Sequence, residues 1–326
     1  MQYPWLQPIV DSMAACLSRE RVPHALLFTG QPGVGKAALA DYLARQLLCT
    51  ALPADGVPCG RCAACLQYAA GAHPDYFRVE PADDASIIKV DQVRELAEKL
   101  SLSSHHGGFK VALLMPADAM NVNAANSLLK TLEEPSDNTV LLLVSARPAQ
   151  LPATIRSRCQ LVRVAAPARD VALRWLTGQV PDDRMDIYLQ LAHGAPLEAL
   201  RQAQDGLIPQ RRERFDALLG ILDGTGSALA VARDWSRDEE LQGIRWLREW
   251  LMDLLRIRLT GSTESVRSAD LEPALGALAS RLESKVMFRQ LDSINSLLRL
   301  TAGSLNRQLL TEDVLLAWAA QGRSGR

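Results

Sequence analysis

Long hydrophobic runs are missing from this 326-residue chain, and so is any surplus of charge of one sign. No stretch approaches the roughly 18 unbroken apolar residues of a membrane-spanning helix, so no membrane partner is expected. The opening Met1-Gln2-Tyr3-Pro4-Trp5 has neither the basic nor the apolar region of a secretory leader, and a cytoplasmic location is expected. Lys and Arg number 36 against 37 Asp and Glu, a net charge of −1. A protein that grips nucleic acid alone draws on excess positive charge to displace counterions from phosphates. Any work near DNA is therefore expected inside an assembly whose other members carry much of that charge. Cysteines are few, six in all, and four of them (Cys49, Cys59, Cys62, Cys65) lie within 17 residues. In a cytosolic chain such a cluster is better read as a metal site than as disulfides.

What is present suits a soluble protein of two or three domains, with 48% hydrophobic and 22% charged residues. The first half alternates short apolar runs with helical patterns, which predicts a parallel sheet covered by helices. Strands are expected at 25–29, 76–80, 111–115, 140–144 and 161–164, several of them apolar at every position. Helices are expected at 37–49, 91–100 and 121–132, the last stopping ahead of Pro135. Beyond about residue 166 the strand pattern ends, and from about Gln210 long amphipathic helices follow. Trp246 and Trp250 share a helical face and are read as helix–helix core. The basic run Gln210-Arg211-Arg212-Glu213-Arg214 is read as a solvated face.

The strand at 25–29 runs into Gly30-Gln31-Pro32-Gly33-Val34-Gly35-Lys36-Ala37, a Walker A pattern except at its last position. Gly30, Gly33 and Gly35 let backbone N–H groups turn toward phosphate oxygens, and Lys36 would reach the terminal phosphates. Position 37 needs a hydroxyl for magnesium, and Ala37 has none. The strand at 111–115 should end in an Asp for magnesium and then an acid for the attacking water, but Met115-Pro116 stands there. Asp118 lies two or three residues too far along and is read as a loop acid. Phosphoryl transfer rests on positioning and on the metal's charge. Hydrolysis at this loop is therefore not expected, although ATP or ADP can still bind through the N–H groups and Lys36.

Cys49, Cys59, Cys62 and Cys65 form C-x9-C-x2-C-x2-C, a spacing that lets all four thiolates reach one tetrahedral ion. Four thiolates leave no position for water, so the expected zinc is structural. Arg61 is expected to ease the negative charge of the thiolates. His73 is set aside as a fifth ligand, because the cysteine set is complete. His105-His106 is read as part of a flexible loop, since adjacent residues lack the spacing of a two-histidine metal site.

The run Asn126-Ser127-Leu128-Leu129-Lys130-Thr131-Leu132-Glu133-Glu134-Pro135, the later Ser157-Arg158-Cys159 and the four-cysteine insert together resemble bacterial sliding-clamp loaders. These are AAA+ proteins of the DNA polymerase III holoenzyme. The resemblance spans nearly the whole chain, including Asn306-Arg307-Gln308-Leu309-Leu310, although the specific motifs lie in the first half. It implies an α/β phosphate-loop domain at 1–166 with the zinc insert at about 49–75. A helical lid at 167–208 and a helical collar at 209–326 would follow. It also implies a hetero-pentamer with gamma/tau and delta subunits, which places a sliding clamp on primer–template DNA.

In that family the Ser-Arg-Cys arginine reaches ATP held by a neighbour, so Arg158 is expected to act in trans as an arginine finger. Lys130, on a helix that faces the ring's interior, is a candidate contact to DNA phosphates. Gly194-Ala195-Pro196-Leu197 resembles the segment where active loaders place a sensing arginine, and Leu197 stands in its place. Ser145 matches the residue that reports on the terminal phosphate. With the missing acids, this points to a non-hydrolysing member of the ring; polymerisation would belong to the holoenzyme. Two rivals have distinct signatures. A self-sufficient ATPase would recruit Asp118, and a zinc-based DNA-binding module would bind DNA through residues 45–75 alone.

Overall fold

The computed structural model describes every residue except 1, 18, 20, 21, 83, 84, 239, 240, 265, 301–305, 325 and 326. Two compact units emerge: Met1–Trp175 with Ala195–Glu198, and Leu176–Gly194 with Ala199–Arg326.

In chain order the first unit contains α1 (Gln7–Leu17), β1 (Ala25–Thr29), α2 (Lys36–Leu48), α3 (Ala63–Ala69), β2 (Tyr76–Val79) and α4 (Val90–Ser101). It continues with β3 (Lys110–Leu114), α5 (Val122–Glu133), β4 (Thr139–Ser145), α6 (Ala153–Arg156) and β5 (Gln160–Arg163). All five strands pair in parallel in the order β2-β3-β4-β1-β5. Every residue of β1, β3 and β4 is buried, as strands covered on both faces must be. One face, carrying Ala25, Leu27, Ala112, Leu114, Leu141 and Leu143, packs on α4, α5 and α6 through Leu96, Leu128 and Ile155. Helix α2 packs on β3 and β4. The expected strands and helices appear with their ends shifted by about a residue, within the ordinary scatter of element boundaries.

The second unit is helical. Helix α7 (Arg169–Thr177) ends in it, α8 (Met185–Leu191) lies within it, and α9 (Pro196–Gln204) belongs to it from Ala199 on. The longer helices are α10 (Leu207–Asp223), α11 (Ala228–Trp235), α12 (Gln242–Thr260), α13 (Glu272–Ala279), α14 (Ser284–Leu300) and α15 (Arg307–Ser324). Trp235, Trp246, Trp250 and Trp318 are all buried in one core. The Trp318 indole N–H donates to the Leu218 carbonyl at 3.0 Å.

The basic run is solvated at Gln210, Arg212 and Glu213, as expected, but not at Arg211. Arg212 is exposed and pairs with Asp216 one turn on. Arg211, however, lies on the same face as Phe215 and Leu218 and is only 2% exposed. Its Nε donates to Asp270 at 2.8 Å, Nη2 to the Ser268 hydroxyl at 3.0 Å and Nη1 to Glu249 at 3.2 Å. Its guanidinium lies 5.5 Å from the ring centres of both Trp246 and Trp250. A buried cation needs this set of partners, because desolvation would otherwise expel it. Buried Asp253 completes the arrangement by accepting the N–H groups of Arg267 and Ser268 at 3.1 and 2.9 Å. Asp270→Ala would strand the Arg211 charge and is expected to destabilise the helical unit by about 3 kcal/mol. Urea unfolding followed by tryptophan fluorescence measures this; a loss under about 0.5 kcal/mol, the range of ordinary surface substitutions, would show the pair to be dispensable.

Candidate functional site

The phosphate loop leaves β1 at Thr29 and enters α2 at Lys36. Gly30 and Gly33 are required by close approach: an added Cβ would meet the Val164 carbonyl oxygen at 2.1 Å or the Glu198 Cβ at 2.4 Å. The loop is braced from within its own unit. Leu197 N–H donates to the Gly33 carbonyl at 2.9 Å, and the Trp5 indole N–H to the Val34 carbonyl, also at 2.9 Å. Trp5 in turn packs with Tyr3 and Trp175, ring centres 5.3 to 5.6 Å apart. Leu197 thus acts through its backbone at a place where its side chain can sense no phosphate. Among the described residues, the N–H groups of Gly33, Val34 and Gly35 donate to no protein acceptor, which leaves an anion cradle of the usual kind. Lys36 is 6% exposed, and its ammonium donates to the Gln31 carbonyl at 2.7 Å. Burial lowers its pKa and the charge of Asp118 opposes that shift.

Ala37 is exposed at the first turn of α2 and offers no oxygen. Strand β3 ends at Leu114, so Met115 and Pro116 occupy the positions where metal and water acids would stand. Asp118 follows in a short 3-10 turn, and its side chain is 2% exposed. Its Oδ1 accepts the Ser145 hydroxyl at 2.6 Å and the Ala146 N–H at 3.2 Å, and its Oδ2 accepts Arg147 Nε at 3.0 Å. Burial pushes this carboxyl up, but the Ser145 and Arg147 bonds prevail and hold it below the usual carboxylate range. Both oxygens are engaged, and a magnesium ion would compete with those partners for the carboxylate. Ser145 is completely buried and spent on Asp118.

The four cysteines converge although no periodicity joins them. Cys49 caps the end of α2, Cys62 caps the start of α3, and Cys65 lies in its first turn. Gln46 Nε2 donates to the Gly56 carbonyl at 2.6 Å and Tyr68 OH to Asp41 at 2.5 Å, anchoring the insert to α2. The four Sγ atoms lie within 4.8 Å of one another, and the Cys49–Cys62 and Cys59–Cys65 pairs are both 4.0 Å apart. A tetrahedral ion with metal–sulfur bonds of about 2.3 Å separates its ligands by about 3.8 Å, so the donor set fits a metal ion. Backbone N–H groups of Cys59, Cys62 and Cys65 point to Cys49, Cys59 and Cys62 sulfurs at 3.4 to 3.5 Å. These contacts spread the charge that four thiolates bring together. Burial opposes ionisation of Cys62, yet bonds from Thr50 and the Cys65 N–H bring its thiol down to about 5. Burial and the bond to Cys62 push Cys65 up to about 12. Metal binding requires the thiolate form, so loading the site displaces thiol protons to solvent.

Arg61 contributes through its backbone, whose N–H lowers the Cys59 pKa. His73 stands outside the cluster, with Nδ1 accepting the Asp75 N–H at 3.1 Å. The loop at His105 and His106, expected to be flexible, is pinned. Both backbone N–H groups donate to buried Asp75, at 2.9 and 3.2 Å, because that carboxylate needs donors.

Arg158 follows α6 and is 36% exposed in its side chain. Its Nη2 lies 2.6 Å from Glu133 Oε1, and its Nη1 donates to the Thr154 carbonyl at 3.0 Å. Lys130 is exposed on α5. Trp5, Glu133 and Arg147 were not singled out in the sequence. Their partners lie about 25 to 29 residues away, beyond any helical or strand period, and no local pattern announces them.

Known proteins match along almost the whole chain. A family described as DNA polymerase III, delta subunit, matches residues 6–168, and one described as DNA polymerase III, delta subunit, C terminal, matches residues 205–320. The chain is 38% identical to the DNA polymerase III subunit delta' of Pseudomonas aeruginosa, over 98% of this chain and 97% of that protein. It is 34% identical to the subunit of the same name from Escherichia coli, over 96% of this chain and 94% of that protein. The DNA polymerase III subunit tau of Escherichia coli is 38% identical over 226 residues, 69% of this chain but 33% of tau.

The purified chain is expected to carry about one metal ion per molecule, and Cys62→Ser to lose most of it, as measured by elemental analysis. Metal-free protein that binds no added cobalt with thiolate charge-transfer absorption would count against the site.

Proposed function

The chain belongs to the delta prime family of DNA polymerase III subunits, and from that premise we propose that it is a non-hydrolysing member of a sliding-clamp loader. The observation that carries this reading is the loss of magnesium ligands around an otherwise intact phosphate loop. Ala37, Met115 and Pro116 supply no metal oxygen, and Asp118 is bound at both carboxylate oxygens. The free N–H groups of Gly33 and Gly35, with Gly30 shaping the turn and Lys36 at its end, still suit ATP or ADP as a bound ligand. Such a nucleotide would brace the loop without turning over.

Arg158 supplies the chemistry that the chain can offer to others. Its planar, permanently charged fork is partly exposed and suits the terminal phosphate of ATP held by an adjacent gamma/tau subunit. Charge placed there stabilises the phosphoryl-transfer transition state. The four thiolates would hold zinc, which leaves no position for water and so cross-links the insert without catalysis. Lys130, exposed on α5, would meet a phosphate of primer–template DNA in the assembled loader. The division into a phosphate-loop domain at 1–166, a lid at 167–208 and a collar at 209–326 belongs to the same reading. So do a hetero-pentamer with gamma/tau and delta, contact with the clamp, and a cytoplasmic location.

ATP turnover in three samples tests the proposal: this chain alone, its gamma/tau and delta partners with clamp and DNA, and the full mixture. The chain alone is expected to be inactive and the mixture stimulated. Arg158→Ala is expected to lower turnover at the adjoining site by roughly 10³-fold or more, while gel filtration still finds the complex. Magnesium-dependent turnover by the isolated chain, abolished by Lys36→Ala, would replace this reading with that of a self-sufficient ATPase.

A further inference from the structure

We infer that Glu133 is a positioning residue for Arg158, holding its guanidinium in the orientation in which it meets the neighbour's phosphate. The inference rests on the proposed trans-acting role of Arg158. Glu133 is the last residue of α5, where the helix dipole disfavours a carboxylate. A cation one turn back, Lys130, stands at the spacing that favours an ion pair within a helix. The carboxylate nevertheless pairs with Arg158, on a different element, at 2.6 Å.

Stability does not account for this pair. The two side chains are 36% and 49% exposed, and such surface pairs add little to folding. Helices α5 and α6 are already joined through Leu128, Leu132 and Ile155 in the buried core. The pair does restrict the arginine's orientation. One edge of the fork is held by Glu133 through Nη2, and Nη1 is held by the Thr154 carbonyl. Nη1 also reaches the Ser157 hydroxyl at 3.5 Å, so three of the five guanidinium N–H groups are used within the chain, and Nε with the second N–H of Nη2 are left for an incoming anion. A side chain ordered in advance loses less freedom when it engages its target. ATP itself is gripped by the neighbour's own loop, so Glu133 should govern the rate of the chemical step and not the binding of ATP.

The test uses the full complex with clamp and DNA. Glu133→Gln, which keeps shape and removes charge, is expected to lower kcat for ATP by about tenfold. The KM for ATP is expected to change by less than about twofold and gel filtration to show the intact complex. Glu133→Asp should recover part of the rate. In an Arg158→Ala background, Glu133→Gln should have no further effect, since the two act as one unit. The inference is overturned if Arg158→Ala lowers kcat but Glu133→Gln does not. It is also overturned if Glu133→Gln lowers kcat equally when Arg158 is already absent, or if it raises kcat, which would make Glu133 a restraint. If Arg158→Ala itself leaves kcat unchanged, the underlying trans-acting role fails and the inference falls with it.

Discussion

Parallel pairing of β1 between β4 and β5 brings the C-terminal ends of three strands side by side. From those ends come the loop that carries Lys36, the Ser145 that bonds Asp118, and the Val164 carbonyl that crowds Gly30. β1 is buried on both faces and hydrogen-bonded along both edges, so it cannot slide without breaking two ladders and unpacking the core. The shape of the phosphate loop therefore survives because it is a consequence of the sheet, whether or not a nucleotide is turned over there. The chemistry around it is free to disappear: a hydroxyl at position 37 or an acid at position 115 contributes nothing to that packing.

Asp118 lies beside this loop and is held by its own partners. In a hydrolysing site an acid near this place needs free oxygen lone pairs for a metal. Here the carboxylate is buried, and Ser145, Ala146 and Arg147 donate to three of its roughly four lone-pair sites. These bonds join the turn after β3 to the end of β4. The same economy appears in the helical unit, where Arg211 is neutralised by Asp270 and enclosed by two indoles. A charge buried in this way fixes how α10, α12 and the 266–271 segment meet, because few other arrangements satisfy all its donors.

The cysteine insert has almost no hydrophobic core of its own, and among its residues Ala64 is one of the few that are fully buried. Segments this small usually depend on a cross-link. Four thiolates within ligand distance, with N–H groups already aimed at three of the sulfurs, are suited to one. Anchoring by Gln46 and Tyr68 to α2 ties that cross-link to the helix that begins at the phosphate loop.

Much of this was legible in the linear order of residues. Unbroken apolar runs announced strands covered on both faces, because a strand in that position needs no polar side chain. The glycines and Lys36, the cysteine spacing, and the missing residues at 37 and 115 are local patterns, and local patterns survive in one dimension. The family was legible for the same reason, through Ser157-Arg158-Cys159 and the run ending in Pro135. What could not be read were pairings between distant segments. Arg211 looked like one of several solvated arginines until α10 turned it toward Asp270. Asp118 looked merely displaced until Ser145 and Arg147 closed on it, and Glu133 had no visible tie to Arg158. Periodicity tells which face of an element is apolar, but a salt bridge or a buried hydrogen bond depends on which elements pack together, and that is settled by the fold.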